Sequence, residues 1–308
     1  MTVVVVAPGQ GSQSPGFLDP WLAEPAFAEH LAALADASGV DLVTHGTVSD
    51  ADTIRDTAVA QPLIVAASLV AFAGVTAGGR RSSLAGVAGH SVGELTAAAA
   101  AGILSEDEAM RLVTQRGVAM ADAASKVATG MSAVLGGDEA ELLARLDELD
   151  LHPANFNGGG QIVVAGELPA LAALGEAPPA GSRVIPLQVA GAFHTRYMAP
   201  AVDTLRALAS SLEPRDPDLT IWTNKTGQTI ADGRTFVDLI VGQVASPVRW
   251  DLTMQSFADA GITGLIELAP AGALVGLAKR GLKGIPTVAV KTPDDLAAAH
   301  ALIDNDGA

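Results

Sequence analysis

The stretch that decides the fold is LAGVAGHSVGELTAAAAAGIL, residues 84–104. The apolar run Leu84–Ala88 predicts a buried strand, and the alanine-rich run after it predicts a helix reaching about Leu104. Between them stands Gly89-His90-Ser91-Val92-Gly93, whose glycines permit a sharp turn from strand into helix. This order of strand, turn and helix indicates an α/β protein.

Alternating strands and helices continue on both sides of this stretch. Val3–Val6 is an uninterrupted β-branched run, typical of a strand in a buried parallel sheet. Further strands are predicted at 220–223, 264–268 and 287–290, and helices at 236–244, 273–282 and 294–303. We therefore expect a hydrolase-like, mostly parallel sheet flanked by helices, in a discontinuous large domain of residues 1–124 and 191–308.

The segment 125–190 has a different pattern. Strands are predicted at 131–135, 153–156, 161–165 and 183–188, and helices at 138–149 and 169–174. The order β-α-β-β-α-β is that of a ferredoxin-like unit. The sequence thus predicts a small ferredoxin-like domain inserted into the large one.

Composition excludes several classes of protein. Hydrophobic residues make up 49% of the 308, which is enough for a sizeable core. Cysteine is absent, which excludes disulfides, thiolate metal sites and a cysteine nucleophile and fits a reducing compartment. With 18 Lys and Arg against 34 Asp and Glu, the net charge of −16 argues against a broad nucleic-acid or anionic-membrane surface.

No targeting or membrane segment is predicted. Met1–Ala7 is apolar, but it lacks a basic leader and is too short for a signal peptide. The uncharged stretch 57–79 is long enough to cross a bilayer. It contains Gln61-Pro62 and is dominated by alanine, so we expect a buried helix of a soluble, cytoplasmic protein.

Ser91 is the candidate nucleophile. Its place in Gly-x-Ser-x-Gly, between a strand and a helix, would expose the hydroxyl at the first turn of that helix. There the amide of Val92 and the positive end of the helix could stabilise an oxyanion. The alternative is an ordinary turn serine.

A serine nucleophile needs a base, and the chain has six histidines. His194 follows the small, flexible Gly191-Ala192-Phe193 where the chain re-enters the large domain, which would place it at an inter-domain cleft. His90 adjoins Ser91, but neighbouring side chains diverge at a sharp turn, so we expect it at the pocket rim. We expect Glu94 to cap its helix rather than complete a triad.

Arg116 is the most informative charge. In the helix predicted at 106–120, which a capping box at Ser105 starts, it shares one stripe with the apolar residues Ala109, Leu112, Val113 and Met120. An inward guanidinium must meet an anion, since burying it unpaired is costly. A structural carboxylate and a substrate carboxylate both remain open.

No metal or cofactor is expected. No pair of histidines has ligand spacing, and no phosphate-loop lysine motif occurs. The turn Pro8-Gly9-Gln10-Gly11 lacks the third glycine of a dinucleotide fingerprint.

Four motifs occur in a family-specific order. They are Gly9-Gln10-Gly11-Ser12-Gln13, Gly89-His90-Ser91-Val92-Gly93-Glu94, Gln115-Arg116-Gly117 and Ala192-Phe193-His194. With them the chain resembles the malonyl-CoA:acyl carrier protein transacylases of the fatty acid synthase acyltransferase family, over nearly its whole length. One departure is Ala269-Pro270-Ala271-Gly272, where family members usually show Gly-Pro-Gly. Because this loop is distant in sequence from the proposed chemistry, we expect the departure to affect loop shape only.

The resemblance implies a Ser-His dyad. Ser91 would attack the thioester of malonyl-CoA, and His194 would act as base, oriented by the backbone carbonyl of Gln243. The amides of Gln10 and Val92 would form the oxyanion hole. The implied substrate-binding residues are Arg116 for the malonyl carboxylate, Phe193 against an α-methyl branch, and His90, Met120 and Asn157.

The implied reaction passes the malonyl group to the phosphopantetheine thiol of acyl carrier protein by ping-pong kinetics, supplies fatty acid elongation, and is catalysed by a monomer. Both partners are acidic, so local basic groups are expected to receive them, from among Arg183, Arg196, Arg249, Lys279, Arg280 and Lys283. A serine hydrolase such as a thioesterase, and a non-catalytic protein that binds an anion through Arg116, remain as alternatives.

Overall fold

The strands of the protein form two sheets. The computed structural model describes residues 2–304. In chain order the strands are β1 (Val3–Ala7), β2 (Gly86–Gly89), β3 (Thr129–Gly136), β4 (His152–Gly158), β5 (Gln161–Glu167), β6 (Ser182–Pro186), β7 (Val248–Arg249), β8 (Gly264–Glu267) and β9 (Thr287–Ala289).

The helices surround these sheets. They are α1 (Asp19–Leu22), α2 (Pro25–Ser38), α3 (Leu42–Thr47), α4 (Thr57–Val75), α5 (Gly93–Ala100), α6 (Glu106–Ser125), α7 (Glu139–Glu148), α8 (Leu168–Glu176), α9 (Ala199–Ala209), α10 (Gly233–Gln243), α11 (Trp250–Asp259), α12 (Ala273–Gly281) and α13 (Leu296–Asp304). The capping box predicted at Ser105 is present at the start of α6.

The first sheet is parallel, with strand order β2-β1-β8-β9. Every residue of β1 is buried, because apolar layers cover both faces of the sheet. Val3 and Val5 pack into the cluster that includes α4, whereas Val4 and Val6 pack with Trp250 and other residues on the opposite face. The predicted α/β fold with helix-flanked sheets is confirmed.

Helix α4 is the predicted buried helix. It is long and apolar enough to cross a membrane, yet 83% of its most apolar window is buried inside the fold. Its length and composition therefore reflect a place in the core, where a helix can be apolar on all sides.

The second sheet has strand order β6-β3-β5-β4-β7. Strands β3 to β6 pair antiparallel, and helices α7 and α8 occur between them in the chain. Strand β7 lies outside the predicted segment 125–190 and pairs parallel with β4, with Asn155 opposite Val248. The second sheet therefore extends beyond the segment that the sequence pattern marked.

The strand predicted at 220–223 is not formed. Ile221 and Trp222 make only single bridges, to Val87 and Thr229. The chain runs beside β2 for one residue and then turns towards Asn224, so no continuous ladder develops.

Candidate active site

Ser91 occupies a tight turn between β2 and α5. Its backbone has φ of +53°, in the left-handed region. A Cβ on Gly89 would lie 1.9 Å from the backbone of Gly93, and one on Gly93 would lie 2.3 Å from the carbonyl oxygen of Ala7. Glycine is therefore required on both sides of the serine for the turn to close.

His194 contacts Ser91 in the fold although it lies 103 residues further along the chain. Its Nε2 lies 2.7 Å from the Ser91 Oγ, and its Nδ1 donates to the backbone carbonyl of Gln243 at 2.8 Å. Gln243 is the last residue of α10, where a carbonyl has no partner within the helix. The hydrogen bond at Nδ1 leaves Nε2 as an acceptor, which is the tautomer that a general base requires.

The His194 imidazole is held neutral. Burial and the nearby positive charge of Arg116 lower its pKa from the ordinary 6.5 to about 3. A histidine in this environment stays unprotonated at neutral pH and can take a proton from Ser91.

Arg116 is buried in α6, as its place on the apolar stripe predicted, with 1% of its surface exposed. Its guanidinium donates to the side-chain oxygens of Gln61 at 2.7 Å and Gln243 at 2.8 Å. One terminal nitrogen lies 3.4 Å from the Ser91 Oγ, and Nε has no hydrogen-bond partner in the described part of the chain. The direct partners are neutral amides, which leaves the positive charge free to attract an anion beside Ser91.

Glu94 is not the helix cap that we expected. Its carboxylate accepts hydrogen bonds from the backbone N–H of Asn224 at 2.6 Å and from the side-chain amide of Gln243. Burial raises the pKa of this carboxyl to about 8, and these donors together with Arg116 oppose that rise. Burial of Arg116 lowers its pKa to about 10, with Glu94 opposing the change, so the guanidinium remains charged at neutral pH.

Ser91, His194 and Arg116 open into one cavity of about 660 Å³ between the two sheets. The remaining predicted site residues that line it are Gln10, His90, Val92, Met120, Asn157 and Phe193. Gln243 lies beneath it, in contact with His194 and Arg116. The structure therefore brings every predicted site residue to this cavity or directly against its lining.

Two of these residues join the walls of the cavity. His90 Nε2 lies 3.0 Å from the side-chain oxygen of Asn157 in β4, and the His90 ring packs edge-on against Trp250. His90 thus lines the cavity, as expected, and is held there by the second sheet and by α11.

Sequence reasoning missed two residues of the site and gave a third the wrong role. Gln61 lies in the largely apolar α4 and supports Arg116, and the only amide side chain in such a helix was a usable signal. Asn224 accepts from the Ser91 N–H at 2.8 Å and donates to the Gly89 carbonyl at 2.7 Å. Glu94 was considered, but its partners are 130 and 149 residues away and leave no local pattern.

The loop at 269–272 is nearer the site than its place in the sequence suggested. Ala271 has φ of +55°, a conformation that favours glycine, and the adjoining Ala273 and Leu274 line the cavity. The buried Glu267 carboxylate holds the loop by accepting the backbone N–H groups of Gly272, Leu274 and Val275. The residues that depart from Gly-Pro-Gly therefore lie next to the cavity wall.

The six basic candidates differ in their surroundings. Arg196 pairs with Asp150 and Arg249 pairs with Asp251, so neighbouring carboxylates already neutralise both. Arg280 lies at the cavity and contacts Gln161 at 3.4 Å.

The chain belongs to a known class of proteins. The family model described as the acyl transferase domain matches residues 4–297, and the chain belongs to that family of acyltransferases. A relative from Mycobacterium tuberculosis, named malonyl CoA-acyl carrier protein transacylase, is 49% identical over 298 residues, covering 96% of this chain and 98% of the relative. The resemblance seen in the four motifs is confirmed.

Solved structures agree with this assignment. The crystal structure of MCAT from Mycobacterium tuberculosis matches with a TM-score of 0.94 at 47% identity, covering 97% of this chain and 100% of that one. A malonyl-transacylase in complex with a type II PKS acyl-carrier protein matches with a TM-score of 0.91 at 29% identity, covering 99% and 100%.

Proposed function

We propose that this chain transfers the malonyl group from malonyl-CoA to the phosphopantetheine thiol of acyl carrier protein, through a malonyl-Ser91 intermediate, and so supplies fatty acid elongation. The observation that carries the proposal is the convergence of three groups. The Ser91 hydroxyl lies 2.7 Å from a neutral histidine nitrogen and 3.4 Å from a buried guanidinium. The relatives' names support the same substrates.

In the first half-reaction, Ser91 Oγ forms a bond to the thioester carbonyl carbon while His194 Nε2 takes the hydroxyl proton. The negative oxygen of the tetrahedral intermediate accepts from the backbone amides of Val92, which directly precedes α5, and Gln10. The carbon–sulfur bond then breaks, and His194 returns the proton to the CoA sulfur. The Gln243 carbonyl keeps the imidazole in the required orientation throughout.

Arg116 selects the acyl group. Its unpartnered Nε and the neutral partners of its terminal nitrogens support a role in pairing with the free malonyl carboxylate. The nearby Phe193 disfavours an α-methyl branch by its bulk, and His90, Met120 and Asn157 form further walls. A cavity this size leaves room for the acyl group and part of its carrier arm.

The second half-reaction repeats the first with a different thiol. His194 takes the proton of the phosphopantetheine thiol, the sulfur attacks the malonyl-serine carbonyl, and the serine oxygen leaves with that proton. The same groups serve both half-reactions because the first converts a thioester into the serine ester and the second converts that ester back into a thioester. The wall opposite Ser91 comes from the second sheet, which we propose is an inserted ferredoxin-like domain.

Intact-mass spectrometry tests the proposal. Incubation with malonyl-CoA should add one malonyl group that maps to Ser91, and holo acyl carrier protein should then remove it and gain the same mass. Release of free malonate without acceptor would instead identify a hydrolase. No adduct at all would reject both enzymes and leave anion binding.

A further inference from the structure

Glu94 is a buried carboxylate with no place in the reaction just described. It is 1% exposed, lies three residues after Ser91 in the first turn of α5, and touches neither Ser91 Oγ nor His194. Burying such a group is costly unless its environment satisfies it. Its hydrogen-bond partners therefore indicate what it does.

Those partners fix the orientation of the Gln243 amide. The Gln243 Nε2 faces three acceptors, namely the Glu94 carboxylate, the Ser91 backbone carbonyl at 3.1 Å and the Asn224 side-chain oxygen at 3.1 Å. A reversed amide would set its oxygen against all three. The contact with the Glu94 carboxyl is the shortest of the three.

The fixed orientation has a consequence on the other side of the amide. With Nε2 turned to Glu94, the Gln243 Oε1 points to Arg116 and accepts its N–H at 2.8 Å. The reversed amide would bring a donor against the donors of the guanidinium. The orientation of the Gln243 side-chain amide therefore determines whether Arg116 keeps its hydrogen bond to Gln243 or is pushed away from it.

We propose that Glu94 is a positioning residue for acyl-group selection: it acts through Gln243 to hold Arg116 where the substrate carboxylate binds. This inference rests on the proposed function and adds a residue to it. His194 is affected less, because it contacts the backbone carbonyl of Gln243 and not the amide.

The substitution Glu94→Gln isolates this role. Glutamine keeps the shape but replaces one of the two carboxyl oxygens with an NH₂ group, which can only donate. If its oxygen stays on the Asn224 N–H, its NH₂ group faces Gln243 and favours the reversed amide. We expect the KM for malonyl-CoA in enzyme acylation to rise about tenfold or more, the scale of one hydrogen bond to a charged group. We expect kcat, and both constants for acetyl-CoA, to change by less than about twofold.

A double-mutant cycle with Arg116→Ala distinguishes positioning from general damage. If Glu94 acts through Arg116, Glu94→Gln should have no further effect on malonyl-CoA once Arg116 is removed. Glu267→Gln is the matched control, since Glu267 is also fully buried but accepts backbone N–H groups of Gly272, Leu274 and Val275. It should lower the thermal midpoint without changing the ratio of malonyl to acetyl use.

Equal losses for both acyl groups, or an undiminished effect in the Arg116→Ala background, would overturn the inference. Should Glu94→Gln not fold, Glu94→Asp enters the same cycle. It keeps the carboxylate but withdraws it from Gln243, so it should show a smaller loss of the same malonyl-selective kind. Failure of the proposed function is recognised separately, because wild-type protein would then form no malonyl adduct.

Discussion

The pH dependence of enzyme acylation tests the electrostatics of the dyad. Burial and the charge of Arg116 lower the pKa of His194 to about 3. Between pH 7.5 and 5.5 the imidazole should therefore remain almost entirely neutral, and the single-turnover rate of malonyl-serine formation should change by less than about twofold. An ordinary histidine of pKa about 6.5 would be about 9% neutral at pH 5.5, and the rate would fall roughly tenfold.

The same low pKa affects stability with a defined sign. The unfolded state binds a proton at this histidine below pH 6.5, whereas the folded state does not until about pH 3. The folded state therefore loses stability as the pH falls through 6.5, by about 1.4 kcal/mol between pH 7.5 and 5.5. Replacing His194 with Gln should remove this part of the acid sensitivity.

Stopped-flow acylation with quench and intact-mass detection measures the rates, and urea unfolding at both pH values measures the stability. A second pH profile should be measured with acetyl-CoA, which has no free acyl carboxylate. This profile reports on the catalytic base without the groups that bind the malonyl carboxylate. Arg116→Ala should move the acid limb of the acetyl profile to higher pH, since the positive charge that helps to lower the pKa of His194 is removed. An acid limb centred near pH 6.5 in the wild type would refute the account of a buried neutral base.

Three further outcomes follow from the geometry. Ser91→Ala should reduce turnover on the order of 10⁴-fold or more and abolish the mass adduct, while thermal unfolding stays near the wild-type midpoint. Arg116→Ala should cost roughly 2–5 kcal/mol in kcat/KM for malonyl-CoA and leave acetyl transfer unaffected or improved, and equal losses would make Arg116 structural. Gly93→Ala should destabilise the protein by about 1–3 kcal/mol in urea unfolding, because its Cβ would meet the Ala7 carbonyl at 2.3 Å. The helical control Gly175→Ala meets nothing within 4 Å and should be neutral or stabilising by up to about 1 kcal/mol.

Patterns within short stretches of sequence predicted the features that depend on residues close together in the chain. The glycine spacing around Ser91 predicted a turn whose closure the structure explains, and the helical stripe predicted that Arg116 points inward. The partners of His194 could not be derived in this way, since Ser91 and Gln243 are 103 and 49 residues distant. The sequence alone offered His194 as a candidate base, and the resemblance of the motifs to a family supplied its pairing with Ser91 and Gln243.

Glu94 illustrates why a local rule can fail. An acidic residue in the first turn of a helix is favoured by the helix dipole, which made capping the natural expectation. In the folded chain, Asn224 and Gln243 offer it N–H donors in a buried place. A buried carboxyl group gains more from direct hydrogen bonds than from the helix dipole. Glu94 therefore contacts Asn224 and Gln243, which are distant in sequence, and does not cap its own helix.

The short strand β7 explains why groups from two sheets can hold one geometry. Val248 pairs with Asn155 of β4, so the chain just after Gln243 is bonded to the wall that carries Asn157. The next residue, Arg249, donates its backbone N–H to the carbonyl of Asn224, the residue that holds the Ser91 turn. The second sheet, the chain after Gln243 and the turn that presents Ser91 are thus joined by the backbone pairing of β7, by the Arg249 N–H and by the side chain of Asn224. A shift of the second sheet alone would have to break these hydrogen bonds, which makes the distance between Ser91 and His194 a property of both sheets together.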